Sequence, residues 1–150
     1  MGAWGANDGV NHALLDLCGD EHFELKPGKG KTIRSNFVHI VGVRRAHAEE
    51  TLKAEAGAIP KLDWKTATRE DIKGALDLSC AVMSDVFRRM EETRKPARWS
   101  VPLFFGYCVA HEAHHRSQIE IALRLGGAEP EDEAVLYGLW DWPKIAKGLA

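Results

Sequence analysis

The chain has 150 residues, 45% of them hydrophobic and 28% charged, which suits one globular domain with a sizeable core and excludes disordered or collagen-like chains. Its 20 Lys and Arg against 22 Asp and Glu give a formal charge of -2, so no overall basic field draws it to nucleic acid or anionic lipid. No uncharged apolar run approaches the roughly 20 residues that span a bilayer, and Met1-Gly2-Ala3-Trp4 lacks the regions of a signal peptide. A cytoplasmic protein is therefore expected, with neither nucleic acid nor membrane as partner.

In chain order, a first helix is expected from about Trp4 to Cys18, with Leu14, Leu17 and Cys18 at helical spacing and Gly19-Asp20 as its stop. The connector from Glu21 to Lys31 carries Pro27-Gly28 and further glycines, which disfavour helix and strand interiors alike. From Thr32 to about Glu55, Ile33, Phe37, Ile40 and Val41 mark an apolar face continued by Ala48 and Leu52, and Gly57 and Pro60 close that helix. Thr68 precedes Asp71 by three residues, a relative of the capping box, and opens a third helix along which Ile72, Leu76, Cys80, Met83, Phe87 and Met90 recur. Pro96 ends it. Ser100-Val101-Pro102 starts a fourth helix that reaches Leu125 and stops at Gly126-Gly127.

Four such segments without a period-2 strand predict an all-α protein, an antiparallel four-helix bundle forming a single domain over residues 1–150. The tail from Ala128 is expected to pack Leu139, Trp140 and Trp142 against the bundle. Cys18, Cys80 and Cys108 are odd in number and fall within apolar helical patterns, as small buried hydrophobes do.

The chemically informative stretch is Tyr107 to Gln118 in the fourth helix. His111 and His115 are four apart, so both imidazoles can address one metal ion. Seven histidines in 150 residues make such a spacing unremarkable by itself. At about 100° per residue, Phe104, Tyr107, Cys108, Gln118, Ile119, Ala122 and Leu125 fall within about 80° of His111, which turns the histidine pair toward the core. Two buried imidazoles are costly without partners, and a divalent cation satisfies both as neutral ligands. A third ligand has to come from another helix. His39 and His47 are the candidates, with His12 and His22 as outsiders, and the apolar arc of the second helix slightly favours His47.

The same residues carry a resemblance to a known family. Ala3-Trp4-Gly5-Ala6-Asn7, Pro27 to Ile33 leading into Phe37-Val38-His39-Ile40, Ala110 to Ile119, and Gly138-Leu139-Trp140-Asp141-Trp142 together resemble the DinB/YfiT-like proteins, bacterial four-helix-bundle metalloproteins, over nearly the whole chain. The resemblance implies three metal-binding histidines, His39 from the second helix with His111 and His115, in preference to His47. Ser117 stands where the family motif often has Gly.

Three imidazoles leave an ion its charge and an open position, usable for hydrolysis or for delivering a bound thiolate to an electrophile; the resemblance implies a metal-dependent enzyme of this kind, with a transferase acting with a low-molecular-weight thiol among its activities, and a non-catalytic metal-binding stress or interaction protein is the alternative. Nickel and zinc are the expected ions. Tyr107, His114 and Gln118 are candidate pocket residues, whereas no residue is marked as general acid or base. Glu112 is read as a surface or interhelical ion-pair partner, and Arg116, about 140° from His111, as leaving the site to pair with Glu120. Lys26, Lys29, Lys31 and Arg34 are read as a solvated loop rather than a phosphate groove. A homodimer through a bundle face is the candidate assembly, with no residue marking the interface.

Overall fold

Capping chemistry sets where the helices begin and end. The computed structural model describes residues 2–93 and 99–147, apart from the side chain of Leu136. Helix α1 spans Ala3–Leu17, α2 Ile33–Thr51, α3 Lys53–Ala56, α4 Arg69–Thr93, α5 Val101–Leu125, α6 Asp132–Leu139 and α7 Trp142–Ile145. No strand occurs among the described residues, and no helix there is long and apolar enough to cross a membrane.

The Thr32 hydroxyl accepts from the Ser35 amide at 3.1 Å to open α2, and Ser100 does the same for Leu103 at 3.4 Å to open α5. Thr68 and Asp71 bond reciprocally, the Thr68 amide to the Asp71 carboxylate at 2.9 Å and the Asp71 amide to the Thr68 hydroxyl at 3.2 Å. At the far end of α5, Gly127 adopts φ +74° while the Ala128 amide reaches Leu123 O at 2.9 Å and the Gly127 amide reaches Arg124 O at 3.2 Å. This is a Schellman motif, and the glycine supplies the left-handed turn it needs. The stop expected at Pro96 lies outside the described residues.

The second helix is shorter than its apolar pattern suggests. It breaks at Leu52, with φ -133° and ψ 66°, and the short α3 follows. The break turns the chain so that Ala56 and Ile59 both become fully buried, a gain of apolar contact that a straight continuation would forgo. The connector before α2 is likewise tied down. Phe23 is buried, and the Arg34 and Ile33 amides bond back to Phe23 O and Leu25 O.

Helices α1 and α2 each pack on both α4 and α5, and α4 also touches α5. Leu14 and Leu15 of α1, Phe37 and Ile40 of α2, Leu76 and Met83 of α4, and Ile119 and Leu123 of α5 meet in one continuous core. The tail lies on α1 through α6 and α7, burying Leu139 and Ile145. The sequence expectation needs correction here: Trp142 is half-buried, but Trp140 is 71% exposed.

Candidate metal centre

Helix α5 presents a different face to the core from the one its apolar residues suggest. Phe104, Cys108, Glu112, His115, Arg116, Ile119, Ala122 and Leu123 are buried, whereas Leu103, Tyr107, Ile121 and Leu125 are exposed. The buried stripe is centred nearer Glu112 than His111. His111 therefore sits half-buried at the edge of the stripe, with His115 buried one turn further on.

On α2, the Thr32 cap fixes a helix whose buried face runs through Asn36, Phe37 and Ile40, and His39 lies half-buried beside it. Packing of α2 on α5 brings the three rings together. Centroids are 4.5 Å apart for His39 and His115, 4.6 Å for His111 and His115, and 5.4 Å for His39 and His111. One ring nitrogen from each can be chosen so that all three lie within 4.8 Å of one another, a spacing that could hold one cation.

Asn36 supplies the detail that aims this cluster. Its side-chain nitrogen donates to Thr32 O at 3.0 Å and Lys31 O at 3.2 Å, so its carbonyl oxygen is the group that meets His115 Nδ1 at 2.9 Å. An amide oxygen only accepts, which assigns the proton to Nδ1 and leaves the Nε2 lone pair available as a ligand. Burial, followed by the positive fields of His39, His111, His114 and Lys31, pushes the His115 pKa down to about 4. Burial also lowers His39, helped by Lys31 and His111, and lowers His111 against an opposing field from Glu112. All three rings are thus held in the neutral form a metal requires.

The remaining histidines have other partners. His47 packs edge-on against Phe104 and Tyr107, with centroids at 5.1 and 5.6 Å, and stays outside the three-ring cluster. His22 accepts from the Gly19 amide in a local turn. His12 lies between Asp8 at 3.4 Å and Asp77 at 3.1 Å. These three side chains form the other group among the described residues whose ligand atoms come within 4.8 Å. There the hydrogen bond to Asp8 raises the His12 pKa, so charge pairing accounts for the contact. His114 is exposed at the rim, 5.1 Å ring to ring from His115.

The candidate pocket residues of α5 sit differently around the three rings. Tyr107 does not face inward: it is 39% exposed and stacks on the outer side of His111 at 6.1 Å. Gln118 is half-buried, and the groups that meet the three rings are Asn36, Tyr107 and His114 rather than Gln118. Arg116 is corrected as well. It does turn away from the three rings, but into a buried site, where it donates to Asn11 at 2.9 Å and Asn7 at 3.0 Å.

Beneath the histidines lies a buried polar network. Glu112 accepts a forked pair from Arg44, at 2.6 Å from Nε and 2.9 Å from Nη2, and also the side-chain amides of Asn7 at 2.7 Å and Asn11 at 2.8 Å. Arg44 reaches on to Asp8 at 2.7 Å and Ser79 at 3.1 Å, with its guanidinium 4.9 Å from the Trp4 ring. Burial disfavours the Arg44 charge, but Glu112 and Asp8 outweigh it and raise the pKa. The network joins α1, α2, α4 and α5 and sets Glu112 between the two histidine-bearing turns of α5. Its presence was signalled in the sequence by Arg44, which falls on the Ile33, Phe37, Ile40 and Ala48 stripe.

Burial pushes the thiols of Cys18, Cys80 and Cys108 up to about 12, so none is an activated nucleophile. Comparisons with protein-family models, with curated proteins and with solved structures each found no match. The resemblance to DinB/YfiT-like proteins therefore rests on the quoted residues.

Proposed function

We propose that the chain is a divalent-metal-dependent enzyme, an antiparallel four-helix bundle of the DinB/YfiT-like kind with His39, His111 and His115 as ligands. The observation that carries this reading is the convergence of three neutral imidazoles from two helices, one of them oriented by a buried amide. Nickel and zinc both suit such donors. When bound, the ion supplies Lewis acidity and an open position, so hydrolysis and transfer of a small thiol are the reaction types this donor set supports.

The residues of the chain do the positioning. Asn36 holds His115 in one tautomer, while burial and Lys31 keep His39 and His115 unprotonated near neutral pH. His114 and Tyr107 lie at the rim, where an incoming molecule would meet them. The inert cysteines favour an external thiol over an enzyme thiol in the transfer reading.

One observation favours a second, non-catalytic reading: the ligands come from α2 and α5, so an ion would also cross-link helices that already pack together. Metal analysis of untagged protein beside His39→Ala, His111→Ala and His115→Ala tests the site. Loss of metal in the variants is expected, and unchanged occupancy in all three rejects the ligand set. Metal-dependent turnover with electrophile and thiol panels, or with hydrolysable substrates, supports the enzyme. A metal that raises thermal stability without turnover favours the cross-link.

A further inference from the structure

A cleft of about 750 Å³ meets the histidine cluster at His39, and its chemistry is one-sided. Lys26, Lys29 and Lys31 line it together with Ser35 and Trp64, and His39 of the histidine cluster forms part of the same wall. No acidic residue lines it. Arg34, the fourth basic residue of this segment, is engaged elsewhere by Glu24 and the Lys65 carbonyl. No carboxylate pairs with the three lysines among the described residues, in contrast to the ion pairs made by Arg45, Arg69 and Arg88.

The connector that carries the lysines is fixed rather than merely solvated. Gly28, at φ +63°, allows the chain to turn, and the Ile33 and Arg34 amides anchor it back on Leu25 and Phe23. Trp64, 55% exposed, also lines the cleft, with Lys65 Nζ 4.9 Å from its ring as one more cation nearby. A concave surface lined by one sign of charge concentrates ions of the other sign. The histidine cluster reinforces this, because none of the three ligands is a carboxylate and a bound divalent ion would keep its charge within its ligand set.

We infer that the cleft is the substrate-binding groove of the proposed metal centre, and that it takes a small dianionic molecule whose oxyanion groups lie on Lys26, Lys29 and Lys31 while its reacting end points to His39. This inference rests on the metal-dependent reading above but makes a claim that can be tested apart from it. The lysine ammonium groups act as point charges, so the groove selects charge and reach rather than one planar anion geometry. Carboxylate and phosphoryl groups share that chemistry.

The test is titration of the full-length chain, metal-free and zinc-loaded, with succinate and separately with glycerol 3-phosphate, followed by amide and indole shifts at Ser35 and Trp64. Succinamide serves as the uncharged control. Lys26→Gln/Lys29→Gln/Lys31→Gln is the variant, chosen because exposed lysines can be changed without touching the core. Binding of at least one dianion is expected, with about tenfold weaker affinity in the variant and a further loss as salt rises. Which dianion binds distinguishes carboxylate from phosphoryl substrates. Lysine-dependent binding that is the same with and without zinc supports the groove while counting against the metal centre as its reactive end. Equal binding of succinamide, unchanged affinity in the variant, or no shift with either dianion overturns the inference.

Discussion

Removing Glu112 should be the most damaging single polar change in the protein. Glu112→Ala deletes four hydrogen bonds of 2.6 to 2.9 Å and takes one negative charge out of a buried group in which Asp8 and Glu112 balance Arg44 and Arg116. Arg44, only 2% exposed, keeps Asp8 and Ser79 but loses its forked partner, and Asn7 and Asn11 lose an acceptor. Breaking a buried ion pair on one side costs about 3–5 kcal/mol. For a domain of this size that corresponds to a fall in Tm of about 10 °C.

Urea and thermal unfolding of metal-free protein, followed by circular dichroism, measure the loss without interference from ligand binding. The partner variant Arg44→Ala should also be strongly destabilised, and Arg44→Ala/Glu112→Ala should lose less than the two single changes combined, by about 2 kcal/mol. A Glu112→Ala loss below about 1 kcal/mol, or simple additivity of the pair, would refute the picture of one mutually dependent network.

Three further outcomes follow from the same structure. Asn36→Ala should leave the helical spectrum intact but weaken zinc binding about 10- to 100-fold, because His115 loses the group that fixes its tautomer; isothermal titration calorimetry reads this directly, and unchanged affinity would remove Asn36 from the site. His12 faces Asp8 on its own helix and Asp77 and Lys73 on α4, with the Asp8 bond the main cause of its raised pKa. The folded state therefore holds the His12 proton more tightly than the unfolded one. Its contribution is complete below about pH 6.5 and fades as pH rises through the folded pKa. The stability gap between the parent protein and His12→Asn should accordingly be largest at acidic pH and shrink as pH rises above about 6.5; a gap that widens with rising pH contradicts the assignment. Finally, the raised thiol pKa values of buried Cys18 and Cys108 and half-buried Cys80 should make native protein resist iodoacetamide at neutral pH while urea-unfolded protein reacts at all three positions, as mass spectrometry can count.

Helix positions were legible because their signals are local. Thr32, Thr68 with Asp71, Ser100 and Gly127 each act within a few residues of themselves, and the structure uses each of them as a cap or stop. The break at Leu52 was not, since it is dictated by distant burial of Ala56 and Ile59. The histidine pair on α5 was readable from its spacing, but periodicity misjudged the helix face. Exposed Tyr107 and Leu125 drew the apolar arc toward His111, while buried Glu112 and Arg116 carry charges that hydropathy assigns to solvent. The choice of His39 over His47 depended on the family resemblance, because both lie close to the same face of α2. The polar network eluded the reading because its members, Asn7, Asp8, Asn11, Arg44, Ser79, Glu112 and Arg116, come from four helices and satisfy one another only after those helices have packed.

The most direct measurement of the central claim is an anomalous-scattering crystal structure of zinc- or nickel-loaded protein. The account predicts one strong peak enclosed by His39, His111 and His115, reached by His115 through Nε2. A peak located instead among Asp8, His12 and Asp77, or none between the three rings under saturating metal, would contradict it.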